Sequence, residues 1–236
     1  MVCLIVNGNE IPHEEELVQQ LQKIDGMTSV SLNTNTERTN VILGATTHCI
    51  WGQPYITDYI HLRNTDDFSL TDTAIAYHIS PQSFYQVNPE QTEKLYSIAM
   101  DYAGLTGEET VLDLYCGTGT ITLCLAKQAR RAIGAEIVPP AIEDAKENAA
   151  RNGIENAEFF CGDAADIAAE LEAEGLRPDV ITVDPPRKGL APEVIASVAA
   201  MGPKQVVYIS CDPATLGRDV KIFRELGYQP ARACAV

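Results

Sequence analysis

No stretch of this sequence approaches the roughly 20 consecutive apolar residues that a membrane-spanning helix requires, so a bilayer is not an expected partner. The opening run Met1–Asn7 is short and lacks a basic leader, which argues against a secretory signal. Seven cysteines are scattered with no C-x-x-C pair and no His-Cys cluster of zinc spacing. That dispersal excludes a disulfide framework and suits a reducing compartment, so a soluble, cytoplasmic protein without a metal site is expected. Bases are scarce: 17 Lys and Arg stand against 33 Asp and Glu, a net charge of −16. Nucleic-acid binders ordinarily carry a basic footprint, so the overall balance weighs against RNA or DNA. A local pair, Arg187-Lys188, runs against that trend.

What is present is enough apolar material, 45% of 236 residues, for one generous domain or two small ones. Residues 1–88 read as a small α+β domain. Leu17, Leu21 and Ile24 have helical spacing within Glu14–Ile24, and strand-like runs lie at Cys3–Val6, Ser29–Asn33, Asn40–Leu43 and Ile56–Leu62. Residues 89–236 change texture. A helix opening at Pro89 is followed by strand and helix in alternation: strands 110–115, 132–136, 157–161, 178–183 and 205–210, with helices 118–129, 139–152, 163–175, 191–201 and 213–226. That alternation predicts an α/β fold, a Rossmann-like doubly wound parallel sheet. The final run, residues 231–236, reads as the start of a further strand.

Parallel-sheet folds do their chemistry beyond the carboxyl ends of their strands, and here those ends are unusual. The first strand runs through Asp113 and Tyr115 into Cys116-Gly117-Thr118-Gly119, a turn that lets backbone approach a ligand closely. The dinucleotide pattern G-x-G-x-x-G is not met, because Thr122 stands at its last position. The next strand ends in Glu136, placed to hold a ribose diol, and the one after it in Gly162-Asp163, placed to accept from an adenine amino group. Acids at successive strand ends make a nucleoside pocket. Asp-x-x-x-Gly-x-Gly followed by Glu and Asp resembles S-adenosylmethionine-dependent methyltransferases rather than nicotinamide dehydrogenases.

Two further strand ends carry reactive groups: Asp184-Pro185-Pro186-Arg187 and Ser210-Cys211-Asp212-Pro213. A helix N-terminus after Cys211 would favour its thiolate, the nucleophilic form. Methylation of an exocyclic nitrogen needs no thiol. Carbon 5 of a pyrimidine does, because thiolate addition at carbon 6 makes carbon 5 nucleophilic and divides one hard step into easier ones.

Together these residues resemble the RNA uracil-5-methyltransferase family, especially its 23S ribosomal RNA members. Ser80-Pro81-x-Ser83-Phe84-Tyr85-Gln86-Val87-Asn88 is similar to the family's lead-in segment, whose glutamine contacts cofactor and whose aromatic lies near the target base. Asp113–Gly119, Glu136-Ile137-Val138, Asp184–Leu190 and Ser210–Pro213 match its later motifs. The resemblance implies Cys211 as nucleophile, with Gln86, Tyr115, Gly117, Glu136, Asp163 and Asp184 around S-adenosyl-L-methionine. It implies RNA as partner, with no DNA and no membrane. The family's N-terminal OB-like domain and its His-Val-Glu segment, which carries the general base, have no counterpart in residues 1–236. The expectation is therefore a fragment that binds cofactor and turns over poorly. An amino-group methyltransferase, suggested by Asp184-Pro185-Pro186, is an alternative that Arg187 and Cys211 oppose. A non-catalytic cofactor or RNA-docking module is another.

Overall fold

The computed structural model describes residues 1–38 and 40–236. The chain forms two units, Met1–Asp58 with His78–Phe84, and Tyr59–Tyr77 with Tyr85–Val236. Among the described residues, no helix is long and apolar enough to cross a membrane.

In the first unit, β1 (Val2–Val6), α1 (Glu14–Leu21), β2 (Ser29–Thr34) and β3 (Thr46–Gly52) follow one another. Central β2 pairs in parallel with β1 and antiparallel with β3. The expected strand at Asn40–Leu43 is not formed. Asn35 Nδ2 donates to the carbonyls of Val41 and Ile42 at 2.8 and 2.9 Å. Asn33 Oδ1 accepts from Gly44 N at 2.7 Å, and its Nδ2 donates back to Gly44 O at 2.9 Å. Side-chain amides thus take the backbone groups a ladder would have used. The strand lies just beyond, in β3.

β4 (Ile56–Arg63) and β5 (Leu70–Ile79) make a two-stranded sheet, of which β5 was not foreseen. Its Tyr59–Tyr77 part belongs to the second unit and is fastened to α2 (Pro89–Ala103) by Glu93. That buried carboxylate accepts from His61 N at 3.0 Å and from Arg63 Nε and Nη2 at 2.9 and 2.6 Å. Burial pushes the Glu93 carboxyl up, but these hydrogen bonds outweigh it and hold the group below its ordinary value.

The rest of the second unit alternates as the sequence predicts: β6 (Thr110–Leu114), α3 (Thr120–Ala126), β7 (Arg131–Glu136), α4 (Pro139–Arg151), β8 (Ala157–Cys161), α5 (Ala164–Ala173), β9 (Val180–Val183), α6 (Pro192–Met201), β10 (Gln205–Tyr208) and α7 (Pro213–Glu225). All five strands are parallel, in the order β10-β9-β6-β7-β8. Residues alternate between the sheet's faces with period two. Leu112, Leu114, Ile133, Ala135, Ile181 and Val183 face one side and form a core with α5, α6 and α7. Asp113 and Thr182 face the other, where α3 supplies Thr122. Both faces are covered, and the fold is a doubly wound parallel α/β sheet.

The strand order fixes where a site can lie. From β6 the chain winds outward through β7 and β8, then returns to the other side of β6 as β9 and β10. The crevice where winding reverses opens beyond the carboxyl ends of β6 and β9.

Packing beneath that crevice is tight. A Cβ on Gly134 would stand 2.8 Å from Phe159 Cδ1 and 2.9 Å from Cys116 Sγ. Gly134→Ala should therefore destabilise the second unit by roughly 1–3 kcal/mol. Urea unfolding followed by circular dichroism measures this, and an unchanged midpoint would contradict the packing described.

Candidate active site

The turn after β6 is built from backbone that side chains seldom tolerate. Tyr115, Gly117 and Gly119 have φ of 73°, 55° and 81°. For Tyr115, a non-glycine residue, this left-handed conformation stores of order 1 kcal/mol of strain, held by its surroundings. Both Tyr115 N and Cys116 N donate to Ala135 O at 2.9 Å, which pins the turn to β7. Nothing lies within 4 Å of where a Cβ on Gly117 would stand, so the glycine opens free space at the turn.

Glu136, at the end of β7, reaches back to this turn. Its Oε2 accepts from Gly117 N at 3.2 Å and its Oε1 from Val138 N at 3.0 Å. The acid therefore shapes the glycine turn as well as standing at the rim. Asp163 is exposed and caps α5, its Oδ1 accepting from Ala165 N at 2.8 Å. Burial, and then the charges of Asp163, Asp219 and Glu136, push the Tyr115 hydroxyl up to about 12, so it stays protonated. Tyr115, Gly117, Glu136 and Asp163 thus share one neighbourhood. Gln86 is half-buried in the segment ahead of α2.

Under the turn lies Asp113, 1% exposed. It accepts from Thr122 Oγ1 at 2.6 Å and from Thr182 Oγ1 at 2.8 Å, joining β6 to α3 and β9. Burial dominates over those hydroxyls and, with the nearby charge of Asp184, pushes its carboxyl up to about 7. Thr122 and Thr182 were not foreseen as partners. The available signal was an acid flanked by apolar residues in a central strand, which must find donors.

The second half of the rim comes from β9 and β10. Ile209 N donates to Val183 O at 2.9 Å, continuing their pairing one residue past β10. Asp184 follows Val183 directly and Cys211 follows two residues after Ile209, so both emerge from adjacent strand ends. The Cys211 thiol is exposed, as attack on a substrate requires. The helix beyond it, α7, is capped by Asp212, whose Oδ1 accepts from Ala214 N and Thr215 N at 2.8 and 3.1 Å. Asp184 is mostly buried, and burial pushes its carboxyl up to about 6.

Burial of Asp113 and Asp184 gives a signed pH dependence. Both native carboxyls titrate above the unfolded value of about 3.9, so between about pH 4 and 7 the native state binds more protons than the unfolded chain. Stability from these groups is full below about pH 4 and falls as pH rises through that window. Asp184→Asn should gain stability over the unsubstituted chain as pH rises, from near zero at pH 4 to about 1–3 kcal/mol at pH 7.5. Urea titrations across that range test this, and a pH-independent difference would contradict it.

Residues 53–227 match the family model described as tRNA (Uracil-5-)-methyltransferase. An uncharacterized RNA methyltransferase of Clostridium acetobutylicum is 47% identical over 230 residues, 97% of this chain and 47% of that protein. One from Halalkalibacterium halodurans is also 47% identical over 230 residues, 97% of this chain and 48% of that protein. The chain spans about half the length of the curated relatives it matches. Among solved structures, the Pyrococcus abyssi tRNA (uracil-54, C5)-methyltransferase in complex with S-adenosyl-L-homocysteine is similar with a TM-score of 0.70 and 27% identity. That match covers 93% of this chain and 48% of the other. The ribosomal protein L11 methylase of Lactobacillus delbrueckii shares the fold, with a TM-score of 0.52 and 22% identity over 66% of this chain and 79% of that one. With a family model spanning most of its length and relatives at this identity, the chain belongs to the tRNA (uracil-5-)-methyltransferase family.

Proposed function

We propose that the protein methylates carbon 5 of a uridine in RNA, with S-adenosyl-L-methionine as methyl donor and Cys211 as covalent nucleophile. The observation that carries this reading is the exposed thiol of Cys211 at a strand end adjacent to that of Asp184. Both stand on the β9 and β10 side of the crevice whose other side is the β6 glycine turn. Family membership and the P. abyssi neighbour support it further.

The residues fit such a cofactor. Gly117 leaves open space at the turn, and Glu136 sits against it with a carboxylate suited to a diol. Tyr115, Asp163, Gln86 and Asp184 would complete the pocket. When bound, S-adenosyl-L-methionine supplies an electrophilic methyl group. The chain's own contribution is Cys211. Its thiolate bonds to carbon 6 of the uracil ring, the ring electrons move toward carbon 5, and that carbon becomes nucleophilic. After methylation a base takes the carbon 5 proton and the carbon–sulfur bond breaks, returning the thiolate. The uridine must leave its stack to reach the thiol. RNA modification fits a cytoplasmic protein. Among RNAs, 23S ribosomal RNA is the first substrate to test, and transfer RNA the second.

In the full-length protein, 5-fluorouridine-substituted RNA should trap a denaturation-resistant adduct, because fluorine cannot leave as a proton. Cys211→Ala should abolish the adduct and lower methylation by at least roughly 10³-fold. An adduct persisting in that variant would remove Cys211 from the mechanism, and mass spectrometry of digested RNA must place the methyl on carbon 5.

Glu136→Ala should weaken S-adenosyl-L-homocysteine binding about 10- to 100-fold, since it removes a charged acceptor and unpins Gly117. Calorimetry reads this directly, and unchanged affinity would exclude Glu136 from the pocket.

A further inference from the structure

In α7, the helix that follows Cys211, one buried carboxylate ties together the segments that carry the rim. Asp219, in the second turn of α7, is 0% exposed. Its Oδ2 accepts from Leu190 N and from the Tyr208 hydroxyl, both at 2.8 Å, and its Oδ1 accepts from Arg218 Nε at 2.8 Å. Arg218 Nη2 continues outward, donating to the carbonyls of Lys188 and Leu190 at 2.9 and 3.2 Å. The loop after Asp184 thereby has its far end clamped to α7, while β9 holds its near end.

The loop is made to be held this way. Gly189 N donates to Pro186 O at 2.8 Å, closing a turn. Gly189 has a φ of 75°, and a Cβ there would stand 2.5 Å from Asp219 Oδ2 and 2.6 Å from Arg218 Nη2. Only glycine admits the clasp. Pro185 and Pro186 stiffen the stretch between clasp and Asp184, so a displacement at one end is carried to the other. Asp219 also lies seven positions after Asp212, about 10 Å along the helix at 1.5 Å per residue, and Cys211 immediately precedes Asp212.

We propose that Asp219 and Arg218 are positioning residues, which set the Asp184 loop in register with the Cys211 thiol. This rests on the reading of Cys211 as nucleophile given above. Neither residue touches substrate in this scheme. The carboxylate is required as such, because one oxygen serves Leu190 and Tyr208 while the other faces a guanidinium. An asparagine would turn an N–H donor toward Arg218 or toward Leu190 and Tyr208, and each arrangement opposes donor to donor.

The test measures adduct formation in single turnover on 5-fluorouridine RNA, using the full-length protein and its Asp219→Asn, Arg218→Gln and Gly189→Ala variants. S-adenosyl-L-homocysteine affinity and the RNA concentration dependence are measured alongside. Each variant should form adduct at least ten-fold more slowly, with half-saturating RNA within about two-fold of the unsubstituted protein and a cofactor affinity, to which Asp184 contributes, that falls by clearly less than the rate. Tyr208→Phe, which removes one of the donors, should lose less. Arg218 is half exposed, so Arg218→Gln keeps the test open should Asp219→Asn fail to fold. An unchanged adduct rate in Arg218→Gln overturns the clasp. So does a cofactor affinity that falls in parallel with the rate, which would mark general loosening. If the unsubstituted protein itself forms no adduct, the reading of Cys211 fails and this proposal falls with it.

Discussion

Asp113 occupies the centre of the parallel sheet with a carboxylate almost wholly withdrawn from water, and the site is arranged around what that withdrawal demands. A buried carboxyl must find donors or remain protonated. It finds two hydroxyls, Thr122 on α3 and Thr182 on β9. Those bonds join the strand before the glycine turn to the helix after it, and to the strand that ends in Asp184. The carboxyl pushed up to about 7 shows that the donors do not fully replace lost hydration. Strain in Tyr115 is of the same kind. A turn held open for a ligand costs stability that the surrounding core must offset, and here the core of β6, β7 and β9 lies directly beneath it.

Such a site was partly legible in the sequence because of how parallel sheets are made. Interior strands are continuous apolar runs, so the first polar residue after each run marks the rim. Glu136 and Asp184 stood out for that reason, Asp163 and Cys211 lie within two residues of a strand's last apolar residues, and Asp113 stood out as the acid leading into the Gly117-Thr118-Gly119 turn. The residues that fasten the rim did not. Asp219 sits four positions before Phe223 on α7, and both are buried, so an acid on an apolar helix stripe was its only local mark. Its donors, Leu190 and Tyr208, are 29 and 11 residues away along the chain. Side-chain pairing across that distance leaves no periodic trace.

The smaller unit shows where apolar pattern misleads. Val41-Ile42-Leu43 has strand composition, yet its carbonyls answer to Asn35 and its neighbour Gly44 to Asn33. Nearby Thr46–Gly52, with a histidine and a cysteine inside it, became the strand. Pairing partners decided the matter, and β2 supplied them through a ladder running from Ser29 to Thr34. By contrast, the dipeptide Asp212-Pro213 announced a helix start, and the aspartate caps that helix through Ala214 N and Thr215 N.

Net charge is the last point on which the sequence and the structure must be weighed together. A balance of −16 implies a surface that repels a polyanion. That inference treats every acid as exposed and every region as average. Asp113, Asp219 and Glu93 are buried, and Asp113 and Asp184 are the two carboxyls that burial pushes toward neutrality. Their charges are therefore absent from the outer surface or reduced near neutral pH. Arg218 is bonded to the backbone of the Arg187-Lys188 loop, and its charge is matched by the Asp219 carboxylate it pairs with. The clasp that orders this loop also holds the Arg218 guanidinium against the carbonyls of Lys188 and Leu190. Screening confines electrostatic influence to about 8–10 Å at physiological salt, so a phosphate that approaches the Arg187-Lys188 loop responds to the charges within that distance more than to distant acids.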